Sequence, residues 1–223
     1  MQFEHVNDLA DWKDLESTQE DGKRYYLTPK GVRYPSMTTV LQLRSAEGIA
    51  KWKARVGEEE ASKVLTQASR RGTLIHQLCE DYVNNKEIDK SDIMPFDMDN
   101  FNSIKKELDQ HVGKVYGQEI ALYSDYLEMA GRVDCIAEWK GKLSIIDYKT
   151  SRKVKKREYI KNYFMQAAGY AVMFEERFGV PIKQLVILMA VDHEGAHEFI
   201  EDRDDHIHDL IELRIEYKQK FDI

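Results

Sequence analysis

The sequence predicts an α/β fold in which a mixed β-sheet is covered by helices on both faces. Between residues 118 and 151, three strand patterns follow one another with short connections, as in a meander: QEIALYS, EMAGRVDCIAEW and KLSIIDYKTS. A continuous apolar run, KQLVILMAVD, follows a helical segment and is typical of a strand buried inside a sheet. Helical patterns lie before and after this block, so helices are available for both faces of the sheet.

The N-terminal half is predicted to be mainly helical after one short hairpin. KRYYLTPKGVRYPS is expected to form that hairpin, with its turn at Pro29-Lys30-Gly31. Residues 36–69 have helical spacing that Gly48 and Gly57 interrupt, which predicts two or three short helices. A further helix is expected at about 98–115. Between them, RGTLIHQLCEDYVNN predicts a helix with an apolar stripe formed by Ile75, Leu78, Cys79 and Tyr82.

The C-terminal part is predicted to alternate helix, strand and helix. A long helix is expected at about 156–177, because Gly179-Val180-Pro181 supplies a stop signal. The apolar strand follows it, and DDHIHDLIELRIEYKQKF predicts a closing amphipathic helix. No repeat or Pro/Gly/Ser-rich linker divides the chain, so we expect a single domain over residues 1–223, with helices at about 36–115 and a sheet core at about 116–192.

The composition excludes several classes of protein. No apolar run approaches the roughly 20 residues that cross a bilayer, and the acidic, mixed N-terminal stretch MQFEHVNDLADWKDLE predicts neither a signal nor a transit peptide. The protein is therefore expected to stay in the compartment where it is made. Two cysteines, Cys79 and Cys135, are too few for a four-cysteine zinc or iron–sulfur site. The net charge of −7 argues against indiscriminate nucleic-acid binding, although it does not locate patches.

One stretch, GKLSIIDYKTSRK, carries opposite charges at the end of a buried strand. A turn at Lys140-Gly141 would place Asp134 directly opposite Asp147, with Lys149 on the same face. A turn at Tyr126-Leu127 would likewise place Glu119 opposite Asp134, although this connection is longer and its register is less determined.

Two carboxylates about 5 Å apart repel by about 3 kcal/mol at an effective dielectric constant of about 20. Either one of them is protonated or a cation lies between them. A hard divalent ion such as Mg²⁺ suits carboxylates together with a strand carbonyl. The alternative is an exposed sheet face on which Asp and Lys are simply solvated.

The motif GRVD (131–134), followed after twelve residues by DYK (147–149), resembles the PD-(D/E)XK nucleases. It is similar in particular to their RecB-type branch, which adds a histidine on an upstream helix and a Q-x-x-x-Y helix. These elements correspond to RGTLIH, with His76, and QAAGY, with Gln166 and Tyr170.

Over about residues 34–220 the chain also resembles the family of mitochondrial genome maintenance exonucleases, in YPSMTTVLQ, a WK pair, DCIAEWKGKLSIIDYKTS and LVILMAV. Val133 stands where the PD-(D/E)XK motif has Pro. The resemblance implies a restriction-endonuclease-like core with an N-terminal helical lid or arch, and no iron–sulfur cluster.

The resemblance also implies roles for the site residues. Mg²⁺, or Mn²⁺ in its place, would be bound by His76, Asp134, Asp147 and the Tyr148 carbonyl. Lys149 would stabilise charge near the scissile phosphate. Glu119 would bind a second metal ion or a metal-bound water, with an exposed edge-strand carboxylate as the alternative. Gln166 would position groups beside Lys149, and Tyr170 belongs to the site or to the core.

Two basic runs, SRRG and KTSRKVKKRE, adjoin these residues. Such runs are ordinarily solvated faces, but their position makes them candidate phosphate contacts. The candidates are Arg70, Arg71, Arg152, Lys153, Lys155 and Lys156. Stacking on unpaired bases or core packing is expected of Tyr34, Trp52 and Tyr163.

The resemblance therefore implies a metal-dependent DNA exonuclease that prefers single-stranded DNA and acts on DNA ends in replication, recombination or repair. Since no transit peptide is predicted, we expect a phage or bacterial version in the cytoplasm of a bacterial or phage-infected cell. A structure-specific endonuclease with the same chemistry is one alternative. A catalytically silent DNA-binding module on a nuclease fold is the other.

Overall fold

The computed structural model describes residues 2–6 and 13–221. Part of the N-terminal stretch on which the leader prediction rests lies outside these residues. The described part contains a small N-terminal sheet, a central sheet and five α-helices. The helices are α1 (Met37–Val56), α2 (Glu58–Val83), α3 (Pro95–His111), α4 (Lys161–Phe178) and α5 (Ile207–Phe221). None of the described helices combines the length and the hydropathy needed to cross a bilayer.

The N-terminal sheet has three antiparallel strands, and the central sheet has five. The strands of the first sheet are β1 (Ser17–Glu20), β2 (Lys23–Leu27) and β3 (Arg33–Pro35). The central sheet contains, in spatial order, β4 (Val112–Ser124), β5 (Met129–Trp139), β6 (Lys142–Ser151), β7 (Gln184–Val191) and β8 (Gly195–Asp202). Only β6 and β7 run parallel, because helix α4 provides the crossover between them. The central sheet is therefore mixed, as predicted.

Helices cover both faces of the central sheet. The alternation of β7 shows this directly, because its two sets of side chains enter different cores. Residues of α1, α4 and α5 pack with Leu185, Ile187 and Met189, whereas residues of α2 and α3 pack with Val186, Leu188 and Ala190. The N-terminal sheet lies against β4 and β5, where Tyr26 packs with Tyr123 and Ala130.

Several predicted boundaries differ from the observed ones. Helix α1 continues through Gly48 and ends only at Gly57, whose φ of 89° no longer permits a helix. A glycine inside a helix costs about 1 kcal/mol, and the buried N-terminal turns of α1 outweigh that cost. Helix α3 ends at His111, where β4 begins, and α4 begins at Lys161 after a short 3₁₀ turn at Arg157–Tyr159. Strand β8 was missed because its polar sequence, GAHEFIED, lacks a clear apolar alternation.

Candidate active site

The turn between β5 and β6 sets the register that the sequence predicts. Lys140 and Gly141 have φ values of 53° and 77°, as a two-residue type I′ hairpin turn requires. Paired residues then run from the turn as far as Cys135 opposite Ile146. The next pair, which would join Asp134 to Asp147, does not form.

Where the backbone pairing stops, a hydrogen bond from the β6 backbone to a side chain of β5 replaces it. Oδ2 of Asp134 accepts the backbone N–H of Tyr148 at a distance of 2.9 Å. The two strands therefore separate at this point, and a buried carboxylate lies in the fork between them. This corrects the predicted geometry, because Asp134 faces the β6 backbone and is not a regular cross-strand partner of Asp147.

The register between β4 and β5 follows the second prediction. Ser124 pairs with Met129 across the turn, and Gln118 and Ile120 pair with Cys135 and Val133. Glu119 therefore lies at the level of Asp134.

The side-chain alternation of β5 reverses at this same level. Val133 and Cys135 are two residues apart and would share a face in a regular strand. Val133 packs in the core beneath α4, however, whereas Cys135 packs in the core beneath α2 and α3. The reversal was not predicted, because a register deduced from turns assumes regular alternation throughout.

Helix α2 brings a histidine to the two acids. His76 Nδ1 lies 3.3 Å from Asp134 Oδ2, and the neighbours Ile75 and Cys79 are fully buried and fix this part of α2 against the sheet. One ligand atom from each of His76, Glu119 and Asp134 lies within 4.8 Å of the others. Three residues that are far apart in sequence thus form one compact donor group.

The charges in this group shift one another's proton affinity. Burial, reinforced by the charge of Asp134, raises the pKa of Glu119 to about 7. Burial also opposes the ionisation of Asp134, but His76 and Lys149 outweigh it and hold the pKa of Asp134 below its ordinary value. Burial lowers the pKa of His76, but Asp134 more than offsets this effect and raises it. The site therefore favours a positive charge between its carboxylates.

Asp147 and Lys149 form a buried ion pair beside this group. The Asp147 side chain is 1% exposed and that of Lys149 is 17% exposed. Oδ2 of Asp147 contacts the Lys149 ammonium, whereas Oδ1 has no hydrogen-bond partner within the described residues. Burial raises the pKa of Asp147 to about 6 even though Lys149 opposes the shift. The Lys149 ammonium also lies 5.1 Å from the centre of the Tyr163 ring.

These residues fit a divalent metal ion. Carboxylate oxygens are the ligands that hard divalent cations prefer, and an imidazole nitrogen completes the donor group. Oδ1 of Asp147 is buried without a hydrogen-bond partner among the described residues, so it is available to bind a cation. The predicted ligands were His76, Asp134, Asp147 and the Tyr148 carbonyl. The compact group contains Glu119 with His76 and Asp134, and Asp147 is not one of its three members.

A cavity of about 530 Å³ opens onto the donor group. Gln166 and Tyr170 line it from α4, one turn apart, and Gln166 Nε2 donates to the Tyr170 hydroxyl at 3.3 Å. Tyr170 is buried, so it belongs both to the core and to the cavity wall. The close approach of α4 depends on Gly131, since a Cβ there would lie 2.8 Å from the Tyr170 ring.

The cavity also contains residues that the sequence reasoning missed. Arg24 reaches it from β2, and Arg132 reaches it from β5. The position of Arg132 inside the GRVD motif was an available signal. No comparable signal pointed to Arg24, because a hairpin distant in sequence contributes it.

None of the predicted phosphate contacts lines this cavity. Arg71 is 13% exposed and forms an ion pair with Asp192 at 2.8 Å. Arg70 and Arg152 line a separate groove of about 330 Å³, where Arg152 donates to Gln67 at 2.9 Å. The segment after β6 is exposed and includes Lys153, Lys155 and Lys156. Of the three aromatic residues, Tyr163 alone lies against a site residue, while Tyr34 donates to Asp125 at 3.0 Å and Trp52 is half-buried.

Comparison with known proteins identifies a matching protein family and similar individual proteins. A family model described as the PD-(D/E)XK nuclease superfamily matches residues 92–220. The mitochondrial genome maintenance exonuclease 1 of Xenopus tropicalis is 28% identical over 204 residues, which cover 83% of this chain and 58% of the relative. The protein of the same name from Homo sapiens is 26% identical over 177 residues, which cover 74% of this chain and 46% of the relative. The chain spans about half the length of the curated relatives it matches.

Proposed function

Because the chain belongs to the PD-(D/E)XK nuclease superfamily, we propose that it is a divalent-metal-dependent exonuclease that prefers single-stranded DNA. One observation carries the proposal. His76, Glu119 and Asp134 place ligand atoms within 4.8 Å of one another in a cavity beside the buried pair of Asp147 and Lys149. We propose Mg²⁺ as the ion, with Mn²⁺ able to replace it.

The chain's own residues supply the rest of the site. When bound, a divalent cation supplies Lewis-acid polarisation of the phosphodiester and activation of water. Asp134 accepts a hydrogen bond from the Tyr148 amide and lies 3.3 Å from a ring nitrogen of His76. It therefore orients the donor group. Lys149 keeps its positive charge beside Asp147, which suits a group that stabilises charge on a phosphate. Gln166, from the opposite wall, is a candidate for orienting the strand or a water molecule.

The preference for a single strand with a free end rests on the N-terminal elements. The cavity is lined by β4 and β5 of the central sheet and by β2, the start of α1, α2 and α4. We propose that α1 and α2 act as a lid or arch under which a strand is threaded, and that residues 1–223 work as one nuclease domain. The exposed basic residues would then contact the strand backbone, and the activity would serve DNA replication, recombination or repair.

The direct test is degradation of end-labelled single-stranded DNA in Mg²⁺ by the wild type, Asp147→Asn and Lys149→Ala. The matched control is Lys142→Ala, which removes an exposed lysine at the other end of β6. We expect cleavage by the wild type and the control, and loss of cleavage in both site variants. No cleavage by the wild type would leave the silent DNA-binding module as the better account.

A circular single strand separates the two enzymatic alternatives. A threading exonuclease has no end to admit and leaves the circle intact, whereas an endonuclease linearises it. Strands blocked at the 5′ or the 3′ end, followed over time, then give the direction of degradation. Cleavage of the circle at the rate of the linear strand would overturn the exonuclease proposal.

A further inference from the structure

Glu119 has an unusual backbone conformation for a residue inside a strand. Its φ is 49°, in the left-handed region that side-chain-bearing residues rarely adopt. Among the described non-glycine residues with positive φ, Glu119 is the only one within a strand, because the other five lie in turns or just after a helix. A specific contact must therefore keep the Glu119 backbone out of the extended conformation that its neighbours have.

The guanidinium of Arg132 contacts this backbone directly. Its Nη1 donates to the carbonyl oxygen of Glu119, and its Nη2 forms an ion pair with Asp14 at 2.5 Å. Arg132 pairs with Ala121 on the neighbouring strand, so its side chain starts close to Glu119 in the register. A planar guanidinium offers donors in a fixed fork, and here the fork joins the N-terminal segment to the carbonyl of Glu119.

The left-handed residue lies at the level where side-chain alternation reverses. Val133 and Cys135 enter opposite cores on either side of this level, and the Glu119 carboxylate joins His76 and Asp134 there. An extended Glu119 would follow the regular alternation of its own strand, β4, and its side chain would project in another direction. The position of this carboxylate therefore depends on the backbone that Arg132 contacts.

We propose that Arg132 is a positioning residue that holds the Glu119 backbone left-handed and so places its carboxylate in the metal-binding group. The inference rests on the proposed metal-dependent function, and it assigns Arg132 no contact with the reacting atoms. Residues that orient metal ligands typically change metal affinity by about 10- to 100-fold when they are removed.

The test is a double-mutant cycle on Mn²⁺ affinity, measured by isothermal titration calorimetry without DNA. Arg132→Ala should weaken Mn²⁺ binding by about tenfold in the wild-type background. In the Glu119→Gln background the same substitution should change the affinity by less than about twofold, because the ligand it positions is already gone. A purely structural role, or a role in binding phosphate, would not produce this dependence on Glu119.

A control variant and two milder variants allow the test to be interpreted even if Arg132→Ala does not fold. Arg33→Ala removes an arginine of the N-terminal sheet, which is paired with Glu20 at 2.6 Å, and should leave Mn²⁺ affinity unchanged. If Arg132→Ala does not fold, Arg132→Lys and Asp14→Asn each loosen one side of the contact and should weaken Mn²⁺ binding less than Glu119→Gln does. Circular dichroism melting identifies which variants are folded.

Two results would overturn the inference. Arg132 substitutions that leave Mn²⁺ affinity unchanged, or that weaken it equally with and without the Glu119 carboxylate, would exclude the positioning role while leaving the proposed function intact. If Glu119→Gln and Asp134→Asn both bind Mn²⁺ as the wild type does, the proposed metal site and this inference fail together.

Discussion

The backbone N–H of Tyr148 donates to the carboxylate of Asp134, at 2.9 Å, at the position where the ladder between β5 and β6 ends. Asp134 therefore satisfies a buried backbone group and at the same time faces His76 at 3.3 Å. Its structural and chemical contributions can be separated by mutation, since an amide oxygen can accept the same hydrogen bond without carrying the charge.

Asp134→Asn should fold normally but lose at least about 100-fold in nuclease rate, because the charge facing the metal site is removed. Asp134→Ala should in addition lower the free energy of unfolding by about 1–3 kcal/mol, since the Tyr148 N–H is left unsatisfied. Initial rates on labelled single-stranded DNA and urea denaturation in EDTA measure the two effects. An Asn variant within tenfold of the wild-type rate would contradict the assignment.

Lys149→Met should destabilise the metal-free protein, because it leaves the Asp147 carboxylate buried without its ion-pair partner. Breaking a buried pair in this way costs about 3 kcal/mol, and the double variant Asp147→Asn/Lys149→Met should recover most of that loss. Urea denaturation in EDTA measures the stabilities. Lys142→Met, at the exposed end of the same strand, is the control and should stay within about 0.5 kcal/mol of the wild type.

The stability of the metal-free protein should depend on pH through Glu119. Its pKa is raised from 4.5 to about 7 by burial and by Asp134, so the folded state holds its proton more tightly than the unfolded state does. The contribution of this group to the free energy of unfolding is present below pH 4.5 and is lost as the pH rises to about 7.

Comparison of the wild type with Glu119→Gln isolates this contribution from those of Asp147 and the other titrating groups. Relative to the wild type, the Gln variant should be more stable at pH 8 than at pH 5, as measured by urea denaturation in EDTA. An equal difference in stability at both pH values would show that Glu119 is not protonated more readily in the folded state.

Alanine substitutions at two glycines of the helical region should change the free energy of unfolding in opposite directions. Gly48 lies inside α1 with no atom within 4 Å of an added Cβ, so Gly48→Ala should raise the free energy of unfolding by about 0.5–1 kcal/mol. Gly57 has a φ of 89° between α1 and α2, so Gly57→Ala should lower it. Thermal melting of the two variants checks the signs. A stabilising Gly57→Ala would mean that the α1–α2 junction does not require this conformation.

The sheet could be predicted because short turns determine register. The φ values of Lys140 and Gly141 suit a two-residue hairpin turn, and the pairs that follow from it form as far as Cys135 and Ile146. The prediction fails one residue later, where a side-chain hydrogen bond replaces a backbone one. No periodicity signals that replacement, because it depends on what lies between the strands.

Motifs select His76 and Asp134, and the register between β4 and β5 selects Glu119. The left-handed backbone of Glu119 could not be predicted, because a register deduced from turns assumes regular alternation. Arg71 lies in a basic run of the kind that is ordinarily solvated. Asp192, which pairs with it, directly follows the distant end of β7, so no local pattern in the sequence predicts this ion pair.

The fork between β5 and β6 has a further consequence for motion. Strand β6 leaves β5 after Ile146, but its pairing with β7 continues through Ser151 and Val191. The segment that carries Asp147 and Lys149 is therefore anchored along one edge, and its amides that bond to β7 should exchange slowly with deuterated solvent. A backbone held in this way should keep Asp147 and Lys149 in fixed positions. Any movement that accompanies the proposed threading of a strand is therefore expected in elements outside the sheet.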